Sequence, residues 1–284
     1  MAKKDSVAMS NFWVRTISGA VFLAIMTAGL LLDATGFGAL FLFIMYFCLD
    51  EFLSITMGHE WKLQQKLSIA AAEFTYLLMV TYCFYGLPVR FLALAIVLPL
   101  VLALSIVMSK NHETVEDTAF AYMGILYIGL PFVLAPLMVS GGDEFKGFVL
   151  FNVFVIIWCS DVGAYCLGTL LGQKPTSRKL APAISPKKSW WGFWGGVVLA
   201  VAAAAVLHFV SWMQYPLVHC LVLGALISVS GVCGDLFESV WKRRYGVKDS
   251  GHIIPGHGGM LDRFDSALLA IPAAFAYMAV FGLL

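Results

Sequence analysis

Charged residues are scarce in this chain, and that scarcity excludes most soluble protein classes. Of its 284 residues, 12% are charged and 61% are hydrophobic, whereas an average soluble domain has about 25% charged residues. The six cysteines include no CxxC pair or other metal-ligand spacing, which argues against a zinc site or a redox motif. No polar stretch is long enough for an independently stable fold. These absences predict an integral membrane protein with a single domain over residues 1–284.

Continuous apolar runs dominate the chain. A membrane-spanning helix needs about 20 mostly apolar residues, and the first such run has no small-residue cleavage site, so we expect it to be retained. Strands of a membrane barrel would instead alternate in polarity. The sequence therefore predicts an all-α, polytopic helical bundle with about nine transmembrane helices. The predicted spans are 13–32, 36–57, 67–87, 91–108, 119–140, 147–171, 190–212, 215–236 and 264–284.

The distribution of Lys and Arg tests this count. With nine spans, 16 of the 18 cations fall on the side of the N-terminus, and only Arg90 and Lys146 fall on the other. Cations collect on the cytoplasmic side of membrane proteins. We therefore expect a cytoplasmic N-terminus, and the polar loops 173–189 and 237–263 should also face the cytoplasm.

Several carboxylates lie in or beside the predicted spans, where a charge is costly. Asp161 lies within the sixth span, and Asp235 closes the eighth. A carboxylate at such depth normally faces a polar cavity and has a partner, although a structural hydrogen bond between helices is the alternative for Asp161. Asp50, Glu51 and Glu73 lie in or near spans two and three. Packing contacts explain these three as well as function does, so they receive no role.

The ninth span is predicted to open with Asp262 and Asp265, which are three residues apart and so share one helix face. Capping of the helix N-terminus is the alternative explanation for both. Asp235, which shares a face with Glu238, lies at the facing end of the preceding span, so folding back the loop would bring Asp235 and Asp262 together. Oxygen ligands of this kind suit Mg²⁺ or Mn²⁺. We expect Asp235 and Asp262 to bind the metal, with Asp265 and Asp161 as further candidates.

The polar stretch 239–265 also carries groups suited to phosphate. Its glycines Gly258 and Gly259 permit close backbone approach, and His257, directly before them, is a candidate hydrogen-bond donor to phosphate. Ser239, at its beginning, is a further candidate substrate-binding residue. The cations that we expect to act at the phosphates are Lys242, Arg243, Lys248 and Arg263.

A second basic loop, residues 172–196, contains five cations and precedes a tryptophan cluster. Such a loop can simply bind anionic headgroups at the membrane surface. Its second half opens a helix, however, and helix N-terminal amides can receive phosphate. We expect this loop to form half of a nucleotide or lipid-phosphate site. Its candidate residues are Ser185, Lys187, Lys188 and Ser189.

These motifs together resemble a known family. The arrangement SxxKR, four residues, KDxG and then PGHGGxxDRxD, within 239–265, closely resembles the signature of the phosphatidate cytidylyltransferases, and DxGAY (161–165) and LAPxISPKK (180–188) are similar to its upstream elements. The resemblance covers the C-terminal half, about 155–284. Trp241 replaces a usual aliphatic residue or Phe, and Trp191 replaces a common Glu or Gln. The second change puts in doubt any substrate contact that the polar residue makes.

The resemblance implies transfer of CMP from CTP to phosphatidate, which gives CDP-diacylglycerol and pyrophosphate for phospholipid biosynthesis, with Mg²⁺ required. CTP, phosphatidate and membrane lipid are then the expected partners, and nucleic acid is not. We expect the bacterial inner (cytoplasmic) membrane as the location, with the active site facing the cytoplasm. Dimerisation through apolar spans stays open, since no face for it can be identified.

Two alternatives remain at this point. A CTP-dependent enzyme acting on an isoprenoid lipid would use similar groups, and the length of the signature favours phosphatidate over it. An ion-coupled transporter would place carboxylates such as Asp161 and Asp235 within the bundle. The grouping of the charged motifs on one face argues against transport.

Overall fold

The chain folds into an all-α bundle of long apolar helices. The computed structural model describes residues 2–58, 62–108, 113–142, 144–174, 176–256 and 258–284, and among these it describes no side chains for 2–12, 108, 113 and 114. Within this described part, nine helical segments are long and apolar enough to span a membrane. The predicted fold class and the number of spans are confirmed. The cytoplasmic orientation of the N-terminus and the single-domain organisation stay predictions.

Ten α-helices form these nine segments. They are α1 (Ala2–Leu31), α2 (Ala34–Met57), α3 (Leu63–Tyr85), α4 (Val97–Met108), α5 (Glu113–Gly124), α6 (Leu130–Val139), α7 (Gly147–Leu170), α8 (Trp190–Phe209), α9 (Leu217–Arg244) and α10 (Leu261–Val280). A 3₁₀-helix, Val89–Ile96, continues directly into α4, so the two make one span. A π-helical turn, Ile125–Gly129, joins α5 to α6 in the fifth span.

Four short strands complete the elements. Ser140–Gly141 (β1) and Glu144–Phe145 (β2) pair between α6 and α7, and Lys179–Ala181 (β3) pairs antiparallel with Ser185–Ser189 (β4). The second hairpin lies in the basic loop before α8. Because β4 ends at Ser189, which is the N-cap of α8 and accepts a hydrogen bond from the Gly192 amide, the hairpin leads directly into that helix.

The last four helices pack closely because glycines let their backbones approach. A Cβ atom at Gly195 of α8 would lie 2.7 Å from the carbonyl oxygen of Gly163 on α7. Small residues are the usual means by which membrane helices come together. The N-terminal end of α10 is held by Phe264, whose ring contacts Phe22 of α1, Phe132 of α6 and Phe154 of α7. This packing brings the motif-bearing helix ends into one neighbourhood.

Candidate active site

A cavity of about 660 Å³ lies where α7, α8, α9 and α10 meet the β3–β4 hairpin. Asp161 of α7 and Asp235 of α9 line it, as do Lys187, Lys188 and Ser189 at the end of β4, directly before α8. We call it the acidic–basic cavity. Its volume is in the range of small-molecule sites, which are about 300–1,000 Å³. Two carboxylates and two cations in one cavity can bind a metal ion and phosphate groups side by side.

An ion pair joins the β3–β4 hairpin to α9 across this cavity. The Lys188 ammonium lies 2.5 Å from the Asp235 carboxylate, and the two side chains are 26% and 34% exposed. The hairpin is held to α9 a second time by Arg243, whose Nε donates a 3.4 Å hydrogen bond to the Ile184 carbonyl. Ser239 donates to Asp235 at 3.4 Å from one helical turn away. The Asp235 carboxylate therefore has defined partners while it remains accessible to a ligand.

Lys242 links α9 to α10 through two carboxylates. Its ammonium lies 2.8 Å from Glu238 and 2.7 Å from Asp262, and the exposed fractions of these two side chains are 1% and 7%. Both carboxylates are thus removed from solvent, and they share one cation. Glu238, expected beside Asp235, is buried in this network instead. Phosphate binding by Lys242 stays a prediction, and its two ion pairs give it a structural part as well.

Asp262 closes the polar loop onto the start of α10. Besides Lys242, it accepts 2.9 Å hydrogen bonds from the backbone amides of Ser250 and Gly259. Gly258 lies in this loop with a φ of 87°, and a Cβ there would lie 2.8 Å from the Asp262 carboxylate. Only glycine suits such a conformation at so close an approach. Metal binding by Asp262 stays a prediction, and a carboxylate has lone pairs left for it beyond these contacts.

Glu51 of α2, which received no role from the sequence, binds this loop. It is 5% exposed. Its carboxylate accepts hydrogen bonds from the amides of Met260 and Leu261, both at 2.9 Å, and from the Ser250 hydroxyl at 2.6 Å. Helix N-terminal amides have no partner within their own helix, so Glu51 caps α10 from another helix. A Cβ at Gly259 would collide with this carboxylate and with the Ser250 hydroxyl. The signal in the sequence was a carboxylate within an apolar span, which is a functional hypothesis by default.

We predict that Glu51→Gln loosens the polar loop. An amide of the same shape has one acceptor instead of two, so at least one of the three donors loses its partner, at a cost of about 1–3 kcal/mol. We expect a lower midpoint of thermal unfolding in detergent and faster trypsin cleavage at Lys248. Glu144→Gln, at an exposed carboxylate far along the chain, is the control and should change neither. Unchanged cleavage in Glu51→Gln would contradict the capping role.

A second polar cavity, of about 440 Å³, lies beside the polar loop between α9 and α10, which we call the motif loop. We call it the basic cavity. Lys248, Gly258 and Arg263 line it, as does Arg15 of α1. Arg263 of α10 lines this cavity, and Ser266, one helical turn later, lines the acidic–basic cavity, so the two cavities are neighbours. The expected phosphate-binding residues are thus divided between two cavities.

The remaining expected residues have the following places. Ser185 in β4 and Asp265 in α10 are both half-buried, and the Asp265 carboxylate interacts electrostatically with Asp235, Glu238 and Asp161. His257 lies outside the described residues. Trp241, at one of the two departures from the family signature, packs against Phe52. The other departure, Trp191, is exposed.

The carboxylates fit a divalent cation by their chemistry. Within the described part of the chain, Glu238 Oε1 is buried without a hydrogen-bond partner, and Asp265 interacts electrostatically with the carboxylates of Asp161, Asp235 and Glu238. No three His, Cys, Asp or Glu side chains among the described residues converge closely enough to hold a metal by themselves. Mg²⁺ is usually bound by one or two carboxylates together with substrate phosphates, so this donor set suits it.

Fold and site together define an integral membrane protein with nine apolar spans in the described part of the chain, and with carboxylates and cations in cavities at the helix ends. The model of the cytidylyltransferase family matches residues 13–281. The chain belongs to this family.

Individual relatives agree with that assignment. Phosphatidate cytidylyltransferase of Bacillus subtilis is 41% identical over 175 residues, which are 62% of this chain and 63% of the relative. The proteins of the same name from Staphylococcus epidermidis and Staphylococcus saprophyticus are 39% and 40% identical over 166 residues, 58% of this chain and 61% of each relative. The chain thus matches less than two thirds of the length of these curated relatives.

Proposed function

We propose that this chain transfers the CMP unit of CTP to phosphatidate, forming CDP-diacylglycerol and pyrophosphate for phospholipid biosynthesis. The observation that carries the proposal is the acidic–basic cavity, where Asp161 and Asp235 lie with Lys187 and Lys188 at the ends of membrane helices. Such a cavity suits a nucleoside triphosphate and its counter-ions. Membership of the cytidylyltransferase family and relatives named phosphatidate cytidylyltransferase support the same reaction.

The reaction needs little acid–base chemistry. A phosphate monoester is mostly dianionic at neutral pH, since its second pKa is about 6, so an oxygen of phosphatidate can attack the α-phosphorus of CTP without a strong general base. As the new P–O bond forms, the bond to the β-phosphate oxygen breaks and pyrophosphate leaves. The protein's part is to align the two anions and to neutralise their charge.

Particular residues suit these tasks. Lys187 and Lys188 hold the phosphates of CTP in the acidic–basic cavity, and the N-terminal amides of α8 lie directly after them. Arg263, which interacts with Asp161 and lines the basic cavity, lies where the two substrates would meet. The buried Lys242 network keeps the loop between these groups in place.

Mg²⁺, or Mn²⁺ as a substitute, belongs to this proposal. Asp235 and Asp262 are the residues that would hold the ion, with Asp265 and Asp161 as further candidates. When bound, the ion would neutralise charge on the triphosphate and on the departing pyrophosphate. Asp235 suits the role because it is accessible from the cavity while Lys188 fixes its position.

The test is an assay of the purified protein in detergent with phosphatidate, Mg²⁺ and CTP labelled at the α-phosphorus. We expect label in a chloroform-extractable liponucleotide and equimolar release of pyrophosphate, both lost when EDTA is added. If label enters lipid only when a polyprenyl phosphate or another isoprenoid lipid is offered, that lipid and not phosphatidate is the acceptor. Solute uptake into liposomes without CTP, and no lipid labelling, would favour a transporter.

The location belongs to the same proposal. The chain is an integral membrane protein, and we place it in the bacterial inner membrane with both cavities facing the cytoplasm, where CTP is present. Sixteen cations on the side of these cavities support that orientation. Cysteine labelling of whole cells at a residue added beside Lys248 would test it. Homodimerisation stays a prediction.

A further inference from the structure

The basic cavity continues into an apolar one. A groove of about 230 Å³ between α1, α2 and the motif loop is lined by aliphatic and aromatic side chains, among them Val21, Ile25 and Ile44. Ile254 and Pro255 line both the groove and the basic cavity. We call this second space the apolar groove. A single ligand that entered both would need a polar end and a hydrocarbon end.

The polar end of that ligand would be an anion. Arg15, Lys248 and Arg263 line the basic cavity together with one carboxylate, Asp249, so the formal charge of these groups is positive. His252 adds a hydrogen-bonding ring. Several cations around one small space, with a glycine backbone at Gly258, are the arrangement that phosphate groups prefer.

Arg15 is fixed at this cavity by its helix. The Ser18 hydroxyl, one turn later in α1, donates a 2.9 Å hydrogen bond to the Pro255 carbonyl of the motif loop. The Arg15 side chain lies against Gly256, where a Cβ would come within 2.6 Å of Arg15 Cγ, and Gly256 has a φ of 74°. A residue with a side chain at 256 would push Arg15 away. The first helix is thus joined to the motif loop at this point.

The hydrocarbon end can reach the apolar groove from the bilayer. Val21 and Ile25 of α1 line the groove and are each 51% exposed, and in a membrane-spanning helix such exposed apolar side chains face lipid. An acyl chain can therefore enter sideways between α1 and α2, while its headgroup stays at the helix ends. A free nucleotide would leave this groove empty.

We propose that the basic cavity and the apolar groove together bind a phospholipid with a terminal phosphate, its headgroup on Arg15, Lys248 and Arg263 and one acyl chain between α1 and α2. The proposal rests on the proposed function in taking this lipid as the acceptor. It goes further in separating the lipid from the nucleotide in the acidic–basic cavity. It also makes Arg15, which lies outside every motif in the sequence, a substrate-binding residue.

The first test is the steady-state kinetics of Arg15→Gln. We expect the KM for phosphatidate to rise about 10- to 100-fold, the usual worth of a charge-assisted hydrogen bond, while the KM for CTP stays the same. Arg15→Lys keeps the charge and should recover most of the loss. Arg244→Gln is the matched control, since Arg244 is an exposed cation at the end of α9 and should leave both constants unchanged. A rise in the KM for CTP, or equal effects of Arg15→Gln and Arg244→Gln, would overturn the proposal.

The second test measures binding without CTP, by native mass spectrometry in detergent. We expect dioleoyl phosphatidate to bind, dioleoylglycerol to bind much more weakly, and the difference to disappear in Arg15→Gln. Inorganic phosphate at millimolar concentration should not displace the lipid. Full displacement would show that the site is one for free phosphate and would overturn the part of the proposal that concerns the groove.

A variant that fills the groove separates the two ends of the ligand. Ile25→Trp should weaken binding of dioleoyl phosphatidate but not of dihexanoyl phosphatidate, whose chains are short. If Ile25→Trp binds both lipids as well as the unchanged protein does, the apolar groove does not bind the acyl chain.

The two proposals fail in different ways. Binding that depends on Arg15 in a protein that never labels lipid from CTP would overturn the proposed function and support the site. Turnover that does not depend on Arg15 would support the proposed function and contradict the proposed lipid site.

Discussion

Asp235→Asn is expected to reduce kcat for CMP transfer by about 1,000-fold or more while the protein stays folded. The substitution keeps the volume of the side chain but removes a charge that would hold the metal and that fixes Lys188. Metal ions contribute several kcal/mol to such reactions, and about 4 kcal/mol corresponds to three orders of magnitude in rate. The measurement is single-turnover labelling of lipid from α-labelled CTP, with thermal unfolding as the check on folding.

Asp117→Asn is the matched control for this variant. Asp117 also forms an ion pair, with Lys62 at 2.9 Å, but it lies on α5 and lines neither cavity. We expect its activity to stay within about twofold of the unchanged protein, because Asp117 lines neither cavity. Activity of Asp235→Asn at the level of Asp117→Asn would remove Asp235 from the metal site.

Lys242→Met should have the largest effect on stability. The substitution leaves Glu238 and Asp262 buried without their shared cation, and removing one partner of a buried ion pair costs about 3–5 kcal/mol. The midpoint of thermal unfolding should fall by roughly 10 °C, at about 2–4 °C per kcal/mol. Arg244→Met, two residues later at an exposed position, should leave the midpoint almost unchanged.

A second substitution tests the cause of this loss. In Lys242→Met with Glu238→Gln, only Asp262 keeps an uncompensated charge, and two backbone amides still donate to it. The double variant should therefore be more stable than Lys242→Met alone. If it is less stable, uncompensated charge is not the cause of the loss, and the packing of the lysine chain would have to explain it.

The spans could be predicted from the sequence because their signal is local. Each needs only an apolar run of sufficient length, and all nine were found. Their ends were less accurate. Helix α9 continues to Arg244, eight residues past the predicted end at 236, because its last turn carries cations that interact favourably with the helix C-terminus. Helix α10 begins at Leu261 instead of 264, because Glu51 caps it from another helix.

The site was predictable to the extent that its residues are close in sequence. Lys188 of the second basic loop pairs with Asp235 near the end of α9, so the two sequence regions that were expected to form one site do meet. The division into two cavities was not predictable, because it depends on how α1 and α2 pack against the motif loop. Neither Arg15 nor Glu51 belongs to a motif, so only tertiary contacts reveal them.

The contact between Glu51 and the start of α10 joins positions 209 and 210 residues apart. The segment that bears the signature is thus stabilised by hydrogen bonds to Glu51, which lies in the first fifth of the chain. A fragment of residues 147–284, expressed alone, would contain every signature motif and still lack the group that shapes the loop. We expect such a fragment to be inactive, and co-expression with residues 1–146 to restore activity. The two halves would then act as one functional unit, although only the C-terminal half carries the signature motifs.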